Sequence, residues 1–208
     1  MYFDLDGTLT TYGEDFRELF DRVVPEELSD EVYDVYVSEV LENLEEKVDE
    51  PYLKAFQEIK EQFDLNFDAE QVAEKYIQIE VGSTKVHKNM RELLENLSKK
   101  HKIGILTNGD SRVQRMKIEE NNLEELVDEI IISNDLGVRK PDPEIFEEAK
   151  KRLPAENYVF VGDTFDEDIK PAQEAGFRTI YINGEREADI ETRSPEKIGE
   201  LLTILLDI

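Results

Sequence analysis

Tyr2-Phe3-Asp4-Leu5-Asp6-Gly7-Thr8-Leu9-Thr10 is the stretch on which the reading of this chain turns. Met1 to Leu5 reads as the end of a short apolar strand, and Asp6-Gly7-Thr8 reads as the turn that leaves it. Only three residues precede Asp4, which is short for a central strand and leaves room for residues lost ahead of Met1. Residues two apart on a strand share a face, so Asp4 and Asp6 can approach one site. A carboxylate can attack phosphorus, and a second carboxyl nearby can protonate a leaving oxygen and later activate water. Acid and glycine are also ordinary turn residues, so this stretch acquires meaning only from partners further along the chain.

From about Thr11 to Ser83 the apolar spacing is helical: Phe16, Leu19, Phe20, Val23; Val32, Val35, Tyr36, Val40, Leu44; Leu53, Phe56, Ile59, Phe63; Val72, Tyr76, Ile79. Ser29 and Asp68 are expected N-caps, and Pro25 and Pro51 mark breaks. No strand is expected inside this block, and its apolar stripes read as its own core rather than as a binding surface. After Ser83 the rhythm alternates. Helices are expected over 87–100, 112–122, 143–152, 166–175 and 195–206, and strands over 102–107, 129–133, 158–162 and 178–183. Short apolar strands separated by amphipathic helices predict a parallel sheet covered on both faces. The fold class is therefore α/β, a doubly wound parallel sheet, with residues 1–11 and 84–208 as its core and 12–83 as an inserted helical domain.

Ligands of such sheets bind beyond the carboxyl ends of the strands. The second core strand ends in Thr107-Asn108-Gly109, where a hydroxyl and backbone N–H groups can hold phosphate oxygens or simply make a turn. Lys140 lies between Arg139 and Pro141, able to neutralise a phosphoryl group or to remain a solvated loop lysine. A later strand ends in Gly162-Asp163-Thr164, with Asp166 and Asp168 beyond it. Asp163 can ligate a hard cation and Asp168 can support it; the same acids also suit a helix N-terminus. Asp4, Asp6, Asp163 and Asp168 gathered together would repel, and Mg²⁺ would remove that cost.

In these motifs the chain resembles the haloacid dehalogenase superfamily of phosphohydrolases: Asp4-Leu5-Asp6-Gly7-Thr8-Leu9, Thr107-Asn108, Lys140-Pro141, and Gly162-Asp163-Thr164 through Asp168. The helical block is similar in position to that family's cap. The resemblance implies a Rossmann-like core and a set of roles. Asp4 would be the nucleophile and a Mg²⁺ ligand, and Asp6 the general acid/base with its carbonyl on the metal. Thr107 and Asn108 would bind the phosphoryl group, Lys140 would stabilise the aspartyl-phosphate, Asp163 would ligate Mg²⁺, and Asp168 would support that site. An acid at the position of Asp6 favours phosphate-ester hydrolysis over dehalogenation, with a phosphomutase as the alternative and a non-catalytic acidic module as a third reading. Thr10, Thr11, Gly82 and Ser83 flank the insertion as hinge candidates.

Composition narrows the partners. The 208 residues include 51 acidic and 25 basic side chains, a formal net charge of -26. That field repels nucleic acid and anionic membranes. It is either a solvated surface or an adaptation to high salt, the latter tempered by 15 Lys against 10 Arg. No apolar stretch approaches the ~20 residues that cross a bilayer. There is no Cys, which excludes disulfides and thiolate metal sites. With no basic leader before an apolar run, the expected setting is cytoplasmic. The expected partner is a small-molecule phosphate ester, bound by a monomer or homodimer. His87 and His101, the two histidines, are expected to be structural.

Overall fold

The short apolar runs 2–3, 104–107 and 159–162 form strands buried on both faces. In the computed structural model, residues 1–25, 27–88 and 90–182 and the backbone of 190–192 are described. The chain begins in β1 (Tyr2–Phe3) and leaves through β2 (Thr10–Tyr12). It runs through α1 (Phe16–Val23), α2 (Asp30–Glu45), α3 (Pro51–Gln62) and α4 (Ala69–Ser83), then returns through β3 (Thr84–Val86). The remaining elements are α5 (Met90–Leu97), β4 (Gly104–Thr107), α6 (Ser111–Glu120), β5 (Glu129–Ile132), α7 (Ser133–Leu136), α8 (Pro143–Arg152), β6 (Val159–Gly162), α9 (Lys170–Glu174), β7 (Arg178–Ile182) and β8 (Ile190–Thr192).

Six strands make one parallel sheet in the order β5-β4-β1-β6-β7-β8. Counted along the chain without the β2–β3 pair, this is the 3-2-1-4-5-6 order of doubly wound nucleotide-binding sheets, with the reversal between β1 and β6. Alternation along each strand separates two cores. Phe3, Ile105 and Val161 turn to one face, under Met90 and Leu94 of α5. Tyr2, Leu106 and Phe160 turn to the other, under Ile145, Phe146 and Ala149 of α8. A third core lies within α1–α4, where Phe20 and Phe56 stack with centroids 5.9 Å apart and Tyr36 and Tyr76 pack around them.

Several boundaries differ from the sequence reading. The helical block opens with a strand: Thr10, Thr11 and Tyr12 pair antiparallel with Val86, Lys85 and Thr84, so the expected hinge residues Thr10 and Thr11 lie in a two-stranded ribbon. Ser29 holds the N-cap position of α2 without a side-chain bond, whereas Asp68 accepts from the Gln71 N–H as expected. Of the helix expected from His87, Met90–Leu97 is helical, and the His87 N–H donates to the Leu9 carbonyl at 3.0 Å. Strand β4 starts at Gly104 rather than Lys102; the Ile103 N–H is taken by the Asp128 carboxylate. The helix expected over 166–175 is a π-turn (Phe165–Ile169) continued by α9, as suits Pro171, which has no N–H to extend a regular ladder. Gly176, at φ +84°, ends it as expected. Strand β8 is absent from the sequence reading, and the helix expected over 195–206 lies outside the described residues. No helix among the described residues is long and apolar enough to cross a membrane.

Candidate active site

The polar residues converge where the strand order reverses. Asp4 comes directly after β1, its N–H donating to the Val161 carbonyl of β6 at 2.9 Å. Asp163 comes directly after β6, Thr107 ends β4, and Lys140 comes from the loop between α7 and α8, where the Lys140-Pro141 peptide is cis. Lys140 is buried, and its Nζ donates to Asp4 Oδ1 and Asp168 Oδ1, both at 2.6 Å. The second oxygen of Asp168 accepts from the Thr164 N–H and hydroxyl at 3.0 and 2.6 Å. Two glycines make this density of acids possible. A Cβ on Gly162 would lie 2.5 Å from the Asp168 Cβ, and one on Gly7, at φ +81°, would lie 2.2 Å from Asp163 Oδ2.

Carboxylate oxygens of Asp4, Asp163 and Asp168 all lie within 4.8 Å of one another. Three carboxylates thus face one ammonium group. Burial pushes the Asp4 carboxyl well above the ordinary range despite Lys140. Burial, then the Asp168 charge, brings Asp163 up to about 6. Burial alone would lower Lys140, but Asp168 and Asp4 raise it on balance. A surplus of negative charge on oxygen donors fits a hard divalent cation such as Mg²⁺.

The Asp6 side chain is not in that cluster. Its oxygens accept from the Tyr12 hydroxyl at 2.8 Å and Gln114 Nε2 at 2.9 Å, with Lys117 Nζ at 3.3 Å. Burial would raise its pKa, but the Lys117 charge and these bonds hold it below the usual carboxylate value. Lys117 is itself buried, pairs with Glu80 of α4 at 2.8 Å and donates to the Tyr12 hydroxyl at 2.7 Å. Gln114 also donates to Thr107 Oγ1 at 2.8 Å. The Asn108 amide is engaged by protein: it donates to the Lys140 carbonyl at 2.9 Å and to Glu167 Oε2 at 3.0 Å, and it accepts from the Lys140 N–H at 2.9 Å. It thereby holds the Lys140 loop to the end of β4.

The structure brings together the residues given catalytic, phosphate or metal roles in the sequence, with Asp4, Asp163, Asp168 and Lys140 in one cluster and Asp6, expected among the clustered acids, set beside it with Thr107 and Asn108. It adds Tyr12, Glu80, Gln114 and Lys117, which sequence reasoning missed. A signal existed for two of them. On α6, Gln114 and Lys117 share the buried side with Val113 and Ile118, so polar residues occupy apolar positions. A cavity of about 260 Å³ opens beside Asp6, walled by Tyr12, Tyr33, Tyr52, Tyr76 and Lys117 among others. Val37, Val40, Leu41 and Leu44 of α2 also line it, so part of the stripe read as core faces a cavity instead.

A sequence model of haloacid dehalogenase-like hydrolases matches residues 2–176. The chain is 35% identical over 118 residues to a glyceraldehyde 3-phosphate phosphatase of Methanothermobacter thermautotrophicus, covering 56% of this chain and 52% of that protein. It is 33% identical over 106 residues to the pyrimidine 5'-nucleotidase YjjG of Escherichia coli, covering 50% and 47%. The chain thus spans about half the length of these curated relatives. In fold it is similar to the putative hydrolase YfnB of Bacillus subtilis, solved bound to magnesium, with a TM-score of 0.74 at 23% identity over 100% and 97% of the two chains.

Proposed function

The chain belongs to the haloacid dehalogenase-like hydrolases, and we propose that it hydrolyses a small-molecule phosphomonoester through an aspartyl-phosphate on Asp4. The observation that carries this reading is the buried contact of Asp4 with Lys140, at the mouth of the sheet and beside Asp6. In this reading Asp4 Oδ attacks phosphorus as the bond to the leaving oxygen breaks. The negative charge of a bound phosphate ester opposes Lys117 and favours a protonated Asp6, which gives that proton to the leaving oxygen. Asp6 then takes one from the water that attacks the phosphoryl group, freeing Asp4. Lys140 balances the charge of Asp4 and of the transferred group. The Thr107 hydroxyl is the phosphate contact at the end of β4. Asn108 serves it through the Lys140 loop that it holds.

Asp4, Asp163 and the Asp6 carbonyl are the candidate ligands of Mg²⁺, with Asp168 supporting them. When bound, the ion would supply neutralisation and polarisation of phosphate oxygens. Residues 12–83 act as a cap over the site, screening it from water during the first transfer. The relatives named as phosphatases support this reading. The test is release of phosphate from 4-nitrophenyl phosphate with and without Mg²⁺. Asp4→Asn should lose at least ~1,000-fold in kcat. Full activity in that variant would overturn the nucleophile assignment.

A further inference from the structure

The wall of the cavity beside Asp6 has the wrong chemistry for a short polar alcohol. Helices α1 and α2 give it Phe16, Val37, Val40, Leu41 and Leu44, and tyrosine rings close much of the rest. Phe16 and Leu41 are 40% and 55% exposed, the large apolar side chains that stand out in water among the described residues, and both lie on this wall. Solvent-facing apolar groups gathered at one cavity mark a binding surface rather than a core. Tyr36, also on the wall, is buried with its hydroxyl beside Tyr76.

The charges point the same way. Lys117 is the one cation among the lining residues, and Asp6, Glu80 and the Tyr12 hydroxyl already take it. Nothing in that wall offers a free positive group to a carboxylate or a second phosphate, while Asp6 and Glu80 would repel one. We propose that this cavity receives the alcohol portion of the ester, and that this portion is an uncharged body carrying an aromatic or apolar ring. The inference rests on the phosphatase reading of the same site and narrows its substrate class. It disfavours anionic bodies of the phosphoglycolate kind and the bisphosphates that a mutase would handle.

The test compares kcat/KM of the full chain with Mg²⁺ for benzyl phosphate, glycerol 3-phosphate and 2-phosphoglycolate. Benzyl phosphate should exceed both others by ~10- to 100-fold, the factor expected for burying one ring. Leu41→Asp and Phe16→Ser, both at exposed positions, should each shrink the benzyl-to-glycerol ratio at least ~fivefold. Equal or better turnover of glycerol 3-phosphate or 2-phosphoglycolate overturns the inference and leaves the phosphatase reading standing; so does a ratio that neither variant moves. If no ester is hydrolysed, the phosphatase reading falls. Calorimetry then decides the inference alone: benzylphosphonate should bind at least ~tenfold tighter than methylphosphonate, and equal binding overturns it.

Discussion

Glu80 and Lys117 face each other at 2.8 Å, each side chain 3% exposed, and so tie helix α4 of the inserted block to helix α6 of the sheet. Lys117 turns its remaining donors to Asp6 and Tyr12. One buried cation therefore serves a carboxylate of the insertion and a carboxylate of the candidate active site.

The two partners should not be equivalent. Lys117→Met strands the buried Glu80 carboxylate, leaves Asp6 with Tyr12 and Gln114 alone, and should cost about 3–5 kcal/mol. Glu80→Met leaves Lys117 paired with Asp6 and should cost less. Urea unfolding measures both; a larger loss from Glu80→Met would show that this ion pair is not what governs the contact.

Gly7→Ala joins two faults, a left-handed φ of +81° and a Cβ aimed at Asp163. The backbone strain should cost roughly 1–3 kcal/mol. Because relief comes from pushing Asp163 aside, phosphatase activity and Mg²⁺ affinity should fall further than stability does. Mg²⁺ calorimetry matching the parent chain would count against a role for Asp163 at the metal.

The acid cluster makes stability depend on pH when divalent ions are chelated. Burial, then the Asp168 charge, brings the folded-state pKa of Asp163 up to about 6 against an ordinary 3.8. The folded chain holds this proton more tightly, so its contribution is present at low pH and is lost as pH rises from about 4 through 6. The amount is at most roughly 3 kcal/mol. Relative to Asp163→Asn, the parent chain should lose melting temperature across that window in chelator. Adding Mg²⁺ should restore more above pH 6 than below pH 4. Parallel melting curves for the two chains would refute this.

With a net charge of -26, self-repulsion extends over the whole chain. Melting temperature should rise as KCl increases from low to molar concentration, since the screening length shrinks from tens of ångströms to about 3 Å. A flat response would show that the acids are spaced widely enough, or paired well enough, for repulsion not to matter.

The sheet and the cluster at its edge were legible because both are written in local pattern. Short apolar runs such as 104–107 and 159–162 declare buried parallel strands, and the polar residue at or just after the end of each run falls at the strand mouth. Asp4, Thr107 and Asp163 are legible that way. The ribbon of Thr10–Tyr12 with Thr84–Val86 is not, because each strand has three residues and its partner lies some seventy positions away. Nor are Tyr12 and Glu80, whose roles arise only when the insertion folds back onto α6. Asn108 reads as a phosphate contact because a strand-end amide can be one. What occupies it, the Lys140 backbone, comes from 32 residues further on.

That ribbon has a consequence for how such a chain can change. Thr10 pairs with Val86 and Tyr12 with Thr84, so departure and return are clasped in register before any of the intervening helices matter. The entropy of closing a loop grows only logarithmically with its length, by about 0.6 kcal/mol per doubling. The closure cost of lengthening or shortening what is carried between the clasped ends is therefore small, but any replacement must keep a partner for Lys117 where Glu80 now stands. The ribbon is a modular socket, through which evolution or an engineer could refit the chamber wall so long as the acid that holds Lys117 is kept.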